Sequence, residues 1–470
     1  MAPSARPNIL WICSDQQRFD TLGVTGNELI RTPNLDRLAA EGTLFNRAYS
    51  QAPICTPSRA SFLTGMYAST VHACTNGNER WAEAAPLLPA MLRDGAGYDC
   101  GLSGKLHLAG AQGRIEPRPA DDGYRFFRWS HHPVDDWEEG HDYADWIRSQ
   151  GMDPAKIYDE NGFYPAEIHQ TTWCTDEAIR FIDEERDGPW LMSINYFDPH
   201  PAFDPPASHR SRYDPAAMPG PHYRESDLAA QALLDDVDFQ SPPRDPDEFD
   251  AKTLQAAYYA MIELIDENVG RLLDHLERTG ERENTIIVYT SDHGESLGDH
   301  GLLLKGCRFY EGLVRVPLIV AGPGFRAGQR SHALVELTDL APTLLEAAGM
   351  EVPERFVGRS LAPMLRGEAP LDRHRDHVRS EYYHTLSPKA PGRDEFNGSY
   401  GTMIRDERYK LVVYHGCPTG ELFDLEADPW EHENLWDDPA HADVRFLLMK
   451  QSFDDTAFAV DLGPGQTRYY

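Results

Sequence analysis

Short apolar runs alternate with longer amphipathic stretches along this chain, a pattern that predicts an α/β protein built on a mainly parallel sheet. Residues 8–13 (NILWIC) read as a buried strand. Thr32 and Pro33 then open a helix, since proline suits a first turn whose N–H would lack a partner anyway, and Gly42 closes it. Residues 190–196 (WLMSINY), 285–290 (TIIVYT) and 317–321 (PLIVA) are three further strands. Between them, residues 254–276 place Tyr258, Met261, Ile262, Ile265, Val269, Leu272 and Leu276 on one face of a long helix. A second helix is predicted over 338–348, stopping at Gly349.

After about Arg373 the texture changes. Residues 381–384, 401–405, 409–414 and 421–424 read as short strands joined by tight turns, hence a small antiparallel sheet. With 470 residues the chain exceeds what one small core holds. The expected division is a catalytic α/β domain over 1–372 and a C-terminal subdomain over 373–470. Residues 233–252, rich in Pro and Asp, read as a solvated loop, and no internal repeat is visible.

Composition narrows the partners. Hydrophobic residues make up 41% and charged residues 26%, values ordinary for a soluble globular protein. No stretch approaches the roughly 20 apolar residues that span a bilayer. The N-terminus lacks a signal-peptide layout, so the expected compartment is the cytoplasm, or the periplasm or exterior if a leader has been removed. The 44 Lys and Arg against 76 Asp and Glu give a net charge of −32, which argues against nucleic acid and anionic membrane as partners. A small anionic substrate is not excluded, because surface charge is screened beyond about 8 Å and the pocket decides. Self-association is left open. Seven scattered cysteines do not form a disulfide framework, and Cys13, Cys100 and Cys174 read as small buried apolar residues.

Ligands of open α/β sheets bind at the carboxyl ends of the strands, and polar clusters recur there. The first strand ends in Ser14-Asp15-Gln16; a strand near Gly101 leads into Gly104-Lys105-Leu106-His107; residues 190–196 lead into Asp198-Pro199-His200; residues 285–290 lead into Ser291-Asp292-His293-Gly294-Glu295. Singly, each Asp is a helix cap and each His a packing residue; jointly they describe a site. Asp15 and Asp292 offer hard carboxylate oxygens, Gln16 an amide oxygen and His293 an imidazole nitrogen to a divalent cation. Oxygen-rich ligation favours Ca²⁺ or Mg²⁺, and the histidine leaves room for Mn²⁺. In Pro53-Ile54-Cys55-Thr56-Pro57-Ser58-Arg59, Pro57 fits a first helical turn and puts Cys55 just before the helix N-terminus, where backbone N–H groups favour an anion. Arg59, one turn in, offers a planar fork to sulfate or phosphate oxygens. On these grounds alone Cys55 is a low-pKa thiolate nucleophile.

Cys55-x-Pro57-Ser58-Arg59 followed by Ala60-Ser61-x-Leu63-Thr64-Gly65 resembles the signature of type I sulfatases. The likeness continues through Thr32-Pro33-Asn34-Leu35-Asp36, Gly104-Lys105-x-His107, Ser291 to Glu295, Arg315-Val316-Pro317-Leu318 and Glu421-Leu422-Phe423-Asp424-Leu425, nearly the whole chain. It implies an alkaline-phosphatase-like fold and hydrolysis of sulfate monoesters, of a sulfated saccharide or a small alkyl or aryl sulfate. It also implies that a formylglycine-generating enzyme oxidises Cys55 to formylglycine, whose gem-diol attacks sulfur. The cation, most readily Ca²⁺, is then held by Asp15, Gln16, Asp292, His293 and residue 55 itself. Arg59, Lys105 and Lys305 neutralise sulfate oxygens, His200 with Lys305 protonates the alcohol, and His107 takes the proton whose loss expels sulfate.

Two departures accompany the likeness. Gln16 stands where many relatives have Asp, and His293 where many have Asn, as in the related phosphonate monoester and phosphodiester hydrolases, which are the alternative reading. Those relatives replace the Gly-Lys-x-His element that Lys105 and His107 preserve here. A carbohydrate-binding protein on an inactive scaffold would have lost Cys55, Asp15 or Lys305, and all are present. Asn76 is either a pocket residue or a turn, and Arg308 and Glu311 either reach substrate or form a structural ion pair. His300 reads as structural or supporting. The stretch 121–163, with Trp129, His131, His132, Trp137, His141 and Trp146, is either a sugar-stacking surface or a loop with its own small core.

Overall fold

The first apolar run, β1 (Asn8–Ser14), is buried at every position, as only a strand covered on both faces can be. In this computed structural model, which describes residues 6–111, 114–131, 140–158, 164–384 and 398–460, β1 lies inside an eight-stranded sheet. The others in chain order are β2 (Thr43–Phe45), β3 (Asp99–Gly104), β4 (Phe126–Trp129), β5 (Trp190–Asn195), β6 (Thr285–Ser291), β7 (Leu318–Ala321) and β8 (Gln329–Ser331). Their order across the sheet is β8-β2-β7-β6-β1-β5-β3-β4. The five neighbours from β6 to β4 are all parallel; β7 runs antiparallel to both β6 and β2. The expected α/β architecture with a large, mainly parallel sheet is therefore present.

Alternation along the strands sends side chains into two cores. Ile9, Trp11 and Cys13 of β1 join Leu191 and Val288 on one face, packed against α2 (Cys55–Thr64). Leu10 and Ile12 join Met192, Ile194, Ile287 and Tyr289 on the other. That second face is covered by α1 (Pro33–Glu41), α3 (Gln170–Ile182) and α4 (Ala251–Thr279). The long helix foreseen over 254–276 is α4, extended at both ends: Asp250 caps its start through the Thr253 N–H, and Gly280 in the left-handed conformation closes it. The helix foreseen over 338–348 is divided into a short 3₁₀ turn (Leu337–Asp339) and a helix (Leu340–Ala347). The Asp339 carboxylate accepts from the Glu336 N–H and so caps the start of the 3₁₀ turn.

Near the C-terminus, Val378–Tyr383, Tyr400–Arg405, Tyr409–Tyr414 and Gly420–Asp424 form a four-stranded antiparallel sheet in sequential order. Its inner face shares a core with the larger sheet's surroundings, where Val378, Tyr382, Met403 and Val412 meet Tyr49, Ile54 and Leu313. The stretch 233–252 is not the wholly solvated loop its composition suggests, because Leu234 and Val237 are buried in this shared core. Among the described residues no helix is long and apolar enough to cross a membrane.

Candidate active site

Parallel pairing puts β6, β1, β5 and β3 side by side, so the four polar clusters seen in the sequence leave the sheet at one edge. The ladder continues past the strands: Asp292 N–H reaches Ser14 O, Asp15 N–H reaches Asp198 O, and Lys105 N–H reaches Asn195 O, at 3.3, 3.0 and 2.9 Å. Those three bonds fix the backbones that carry the side chains.

Helix α2 presents residue 55 to this edge. It begins at Cys55 itself, one position earlier than foreseen, which makes Pro57 its third residue. Proline is tolerated there because the N–H it lacks has no partner within the first turn. Asn76 Oδ1 accepts from the Thr56 N–H at 3.1 Å, so Asn76 stands beside residue 55. The Cys55 sulfur is 3.0 Å from Lys305 Nζ, 3.1 Å from His293 Nε2, and 3.7 Å from both Lys105 Nζ and Asp15 Oδ1.

This cationic shell distinguishes Cys55 from the six other cysteines, which like it are free. Burial pushes the thiols of Cys13, Cys100 and Cys174 well up. Burial and the Asp15 charge also oppose ionisation of Cys55, yet Lys105, Lys305 and His293 hold its thiol below the ordinary range. Against the same burial, Lys105, His200, Lys305 and Arg59 keep Asp15 well below the usual carboxylate range.

Asp15, Cys55, Asp292 and His293 are all buried, with donor atoms within 4.8 Å of one another. His293 Nδ1–H donates to Gly294 O at 2.8 Å, which turns Nε2 towards Cys55 as the nitrogen that a neutral ring would offer to a cation. Gln16, in a left-handed conformation at φ 70°, turns its amide into the same space. Its Nε2 donates to Glu295 and its Oε1 accepts from Lys305 Nζ at 2.5 Å. The Lys305 ammonium thus touches Gln16 Oε1, His293 Nε2 (3.3 Å) and Cys55 Sγ, three of the five donors expected to hold a cation. This donor set of two carboxylates, an amide oxygen, an imidazole and residue 55 fits a divalent cation.

Arg59 departs from the role expected of it. Its Nε donates to Asp292 Oδ2 at 2.9 Å, its NH2 to Asp15 Oδ2 at 3.0 Å and its NH1 to Lys105 O at 3.1 Å. With every guanidinium nitrogen engaged and no exposed surface, it ties the two carboxylates together and does not offer a fork to substrate. The ammonium groups of Lys105 and Lys305 are the cations facing residue 55. Two histidines complete the edge. Burial and then Lys105 keep His107 well below the ordinary imidazole range, and burial and then Lys305 do the same for His200. Both are neutral near pH 7, and His200 Nδ1–H is spent on Pro201 O at 2.7 Å.

Arg308 is not brought to the site. Its guanidinium bonds Gln231 Oε1 and the carbonyls of Leu234 and Cys307, beside Tyr414. Glu311 pairs with Lys410 at 2.7 Å, the structural alternative. Trp129 and His141 are buried, 4.9 Å apart between ring centres, so neither can stack on a sugar; His132 and Trp137 lie outside the described residues. A second group, Asp227, His300 and His432, is a docking contact. There His432 donates to Asp227, whose carboxylate also caps the helix Glu225–Ala232, and His300 stacks on Tyr310. Two supporting residues carried no sequence expectation. Glu295 accepts from Gln16 and from the Leu297 and Leu304 N–H groups, and its place directly after Asp292-His293-Gly294 was a signal. Glu116, in an unremarkable stretch of loop, gave none.

The sulfatase family model matches residues 7–350, and a C-terminal model described as N-sulphoglucosamine sulphohydrolase matches 298–456. An arylsulfatase of Clostridium perfringens is 30% identical over 472 residues, covering 95% of this chain and 94% of the relative. An N-acetylglucosamine-6-O-sulfatase of Bacteroides thetaiotaomicron is 30% identical over 507 residues, covering 95% and 85%. Among solved structures, the phosphonate monoester hydrolase of Agrobacterium radiobacter superposes with a TM-score of 0.82 at 29% identity, covering 97% of this chain and 96% of that one. The fold is alkaline-phosphatase-like.

Proposed function

This chain belongs to the sulfatase family and is a sulfuric ester hydrolase, and on that premise we propose that it cleaves sulfate monoesters with residue 55, matured from cysteine to formylglycine by a formylglycine-generating enzyme, as its nucleophile. The observation that carries the proposal is the placement of Cys55 at the start of α2, within 3.7 Å of Lys105, Lys305, His293 and Asp15. Its substrate is a sulfated saccharide, the class named for the Bacteroides thetaiotaomicron relative, or a small alkyl or aryl sulfate.

Asp15, Gln16, Asp292, His293 and residue 55 would hold a divalent cation, Ca²⁺ by its oxygen-rich set, and such an ion when bound polarises a sulfate oxygen and acidifies the nucleophile. Formylglycine supplies a hydrated aldehyde with two geminal hydroxyls, one to attack sulfur and one whose deprotonation expels sulfate. Lys105 and Lys305 face that position and neutralise the sulfate oxygens as charge moves onto them. Arg59 keeps both carboxylates aimed while making no substrate contact. His200 is neutral at rest, and an arriving sulfate anion raises its proton affinity, so that with Lys305 it protonates the alcohol as the sulfur–oxygen bond breaks. Neutral His107 is suited to take the proton lost when sulfate leaves.

A second reading, hydrolysis of a phosphonate monoester or phosphodiester, is favoured by the likeness to the Agrobacterium radiobacter enzyme and by neutral Gln16 and His293 at the cation position. Lys105 and His107 at the same edge favour sulfate. The decisive experiment is the mass of the Cys55 peptide after co-expression with a formylglycine-generating enzyme, followed by kcat/KM on paired aryl sulfate and aryl phosphonate esters. Loss of sulfur with gain of an aldehyde oxygen, and higher kcat/KM on sulfate, support the proposal. A peptide that stays a thiol beside a converted control overturns it, and a phosphonate preference installs the second reading.

A further inference from the structure

His107 stands in the left-handed region at φ 54°, a conformation that a residue with a side chain holds only when its surroundings impose it. Its own ring does not supply that restraint. Among the described residues the buried Nδ1 has no hydrogen-bond partner, and the ring makes an edge-on approach to His131, 5.3 Å between centres. The restraint comes from the backbone. Three successive N–H groups, those of His107, Leu108 and Ala109, converge on the Glu116 carboxylate at 2.7, 2.6 and 3.1 Å. Trp129 Nε1–H supplies a fourth bond at 3.2 Å. Each carboxylate oxygen receives two donors, so the four bonds favour the anion, against a burial that on balance raises the carboxyl above its ordinary range. Trp129 is in turn anchored by its backbone N–H to Asp142 Oδ2 at 2.8 Å. A buried chain of contacts therefore runs from β4 through Glu116 to the turn that aims the imidazole.

We propose that Glu116 is the positioning residue for His107, holding the turn 107–109 so that the imidazole faces the proton released as sulfate departs. The proposal rests on the reading that His107 takes that proton. It makes a selective claim: loosening the turn impairs sulfate release and leaves the earlier departure of the alcohol largely intact. A general structural role for Glu116 would lower both alike.

Two measurements separate these cases. In the unconverted thiol protein, Glu116→Gln loses acceptor capacity, and amide hydrogen exchange of the peptide spanning 106–110 is expected to quicken at least tenfold, with β1 and β6 unchanged. In the converted enzyme acting on 4-nitrophenyl sulfate, His107→Ala should lower kcat and KM together and release nitrophenol in a burst. Glu116→Gln should reproduce that pattern with a kcat loss of roughly 10–100-fold, and the double variant should be no slower than His107→Ala. If Glu116→Gln fails to fold, Glu116→Asp keeps the charge and should show a smaller loss of the same form. If His107→Ala shows the burst while the Glu116 variants lower kcat and kcat/KM equally, or leave exchange at 106–110 unchanged, positioning by Glu116 is overturned. A His107→Ala enzyme without a burst removes the role of His107 and this proposal with it.

Discussion

The ammonium of Lys305 lies 3.0 Å from the sulfur of Cys55, although 250 positions separate the two residues in sequence. The same ammonium makes two further contacts, to Gln16 Oε1 and His293 Nε2. It is therefore a fixed positive charge at the nucleophile, held by the cation-binding groups themselves. Lys305→Ala is expected to lower kcat on a sulfate ester by about 10²–10³-fold, the usual cost of removing one preorganised stabiliser. A loss below threefold in steady-state kinetics would remove Lys305 from the charge-neutralising pair.

The same cations govern the unmodified thiol. Lys105 and Lys305 favour the thiolate, so an ultraviolet titration of unconverted protein should place Cys55 below the ordinary value of about 8.5. Removing either lysine removes a charge that stabilises the anion, so the midpoint moves up. Lys105→Ala with an unchanged or lower midpoint would contradict this assignment.

Arg59 joins Asp15 and Asp292 with all three groups fully buried. Arg59→Met takes the guanidinium from Asp292 and leaves Asp15 paired with Lys105, and denaturant unfolding should show a loss of about 3–5 kcal/mol. A divalent cation at the same carboxylates offsets part of that loss. The destabilisation should therefore be larger in chelator than in excess Ca²⁺. Equal losses under both conditions would mean that these carboxylates do not hold the ion.

Chelation itself gives a separate result. Removing divalent ions from the matured enzyme should abolish most sulfate ester hydrolysis, and back-titration with Ca²⁺, Mg²⁺ and Mn²⁺ should restore it, Ca²⁺ at the lowest concentration. Activity that survives exhaustive chelation with no metal detected by elemental analysis would overturn the ligand assignment.

Trp129 and Arg308 are expected to matter for stability and not for substrate binding. Trp129→Ala removes a buried ring and one donor to Glu116, at a cost of about 3 kcal/mol. Arg308→Met takes a donor from Gln231 and from the carbonyls of Cys307 and Leu234, the last of which keeps the Val237 N–H. In the folded fraction of Arg308→Met KM should match the parent; a KM raised tenfold would return that residue to the substrate pocket.

Much of the site was readable before any coordinates. The strand ends bearing Asp15-Gln16, Lys105-x-His107, His200 and Asp292-His293 stood out because apolar runs stop abruptly at charged or amide residues, and parallel strands deliver such residues to one edge. Pro57 marked the start of α2 to within two residues of its true first position, since proline is confined to the first turn. Arg308 misled because nearness to Lys305 in sequence says nothing of direction. The chain turns between them, and Arg308 faces the antiparallel sheet. The stretch 233–252 misled because its Pro and Asp content concealed two isolated apolar anchors, Leu234 and Val237.

Local chemistry, then, was legible in the sequence: the buried runs that became β1, β5, β6 and β7, the first turns of α1 and α2, and which residue types could bind a cation or attack sulfur. These depend on short-range sterics and on hydrophobic period, both of which are written within a few residues. Only the tertiary structure decided the assignments that depend on three-dimensional direction. Strand order β6-β1-β5-β3 gathered four distant clusters into one site. Bonding to both carboxylates changed Arg59 from a substrate fork into a tie. A carboxylate nine residues from His107 set the conformation of that turn. Each of these rests on a hydrogen bond or ion pair between side chains and backbones whose meeting depends on how the whole sheet is wound.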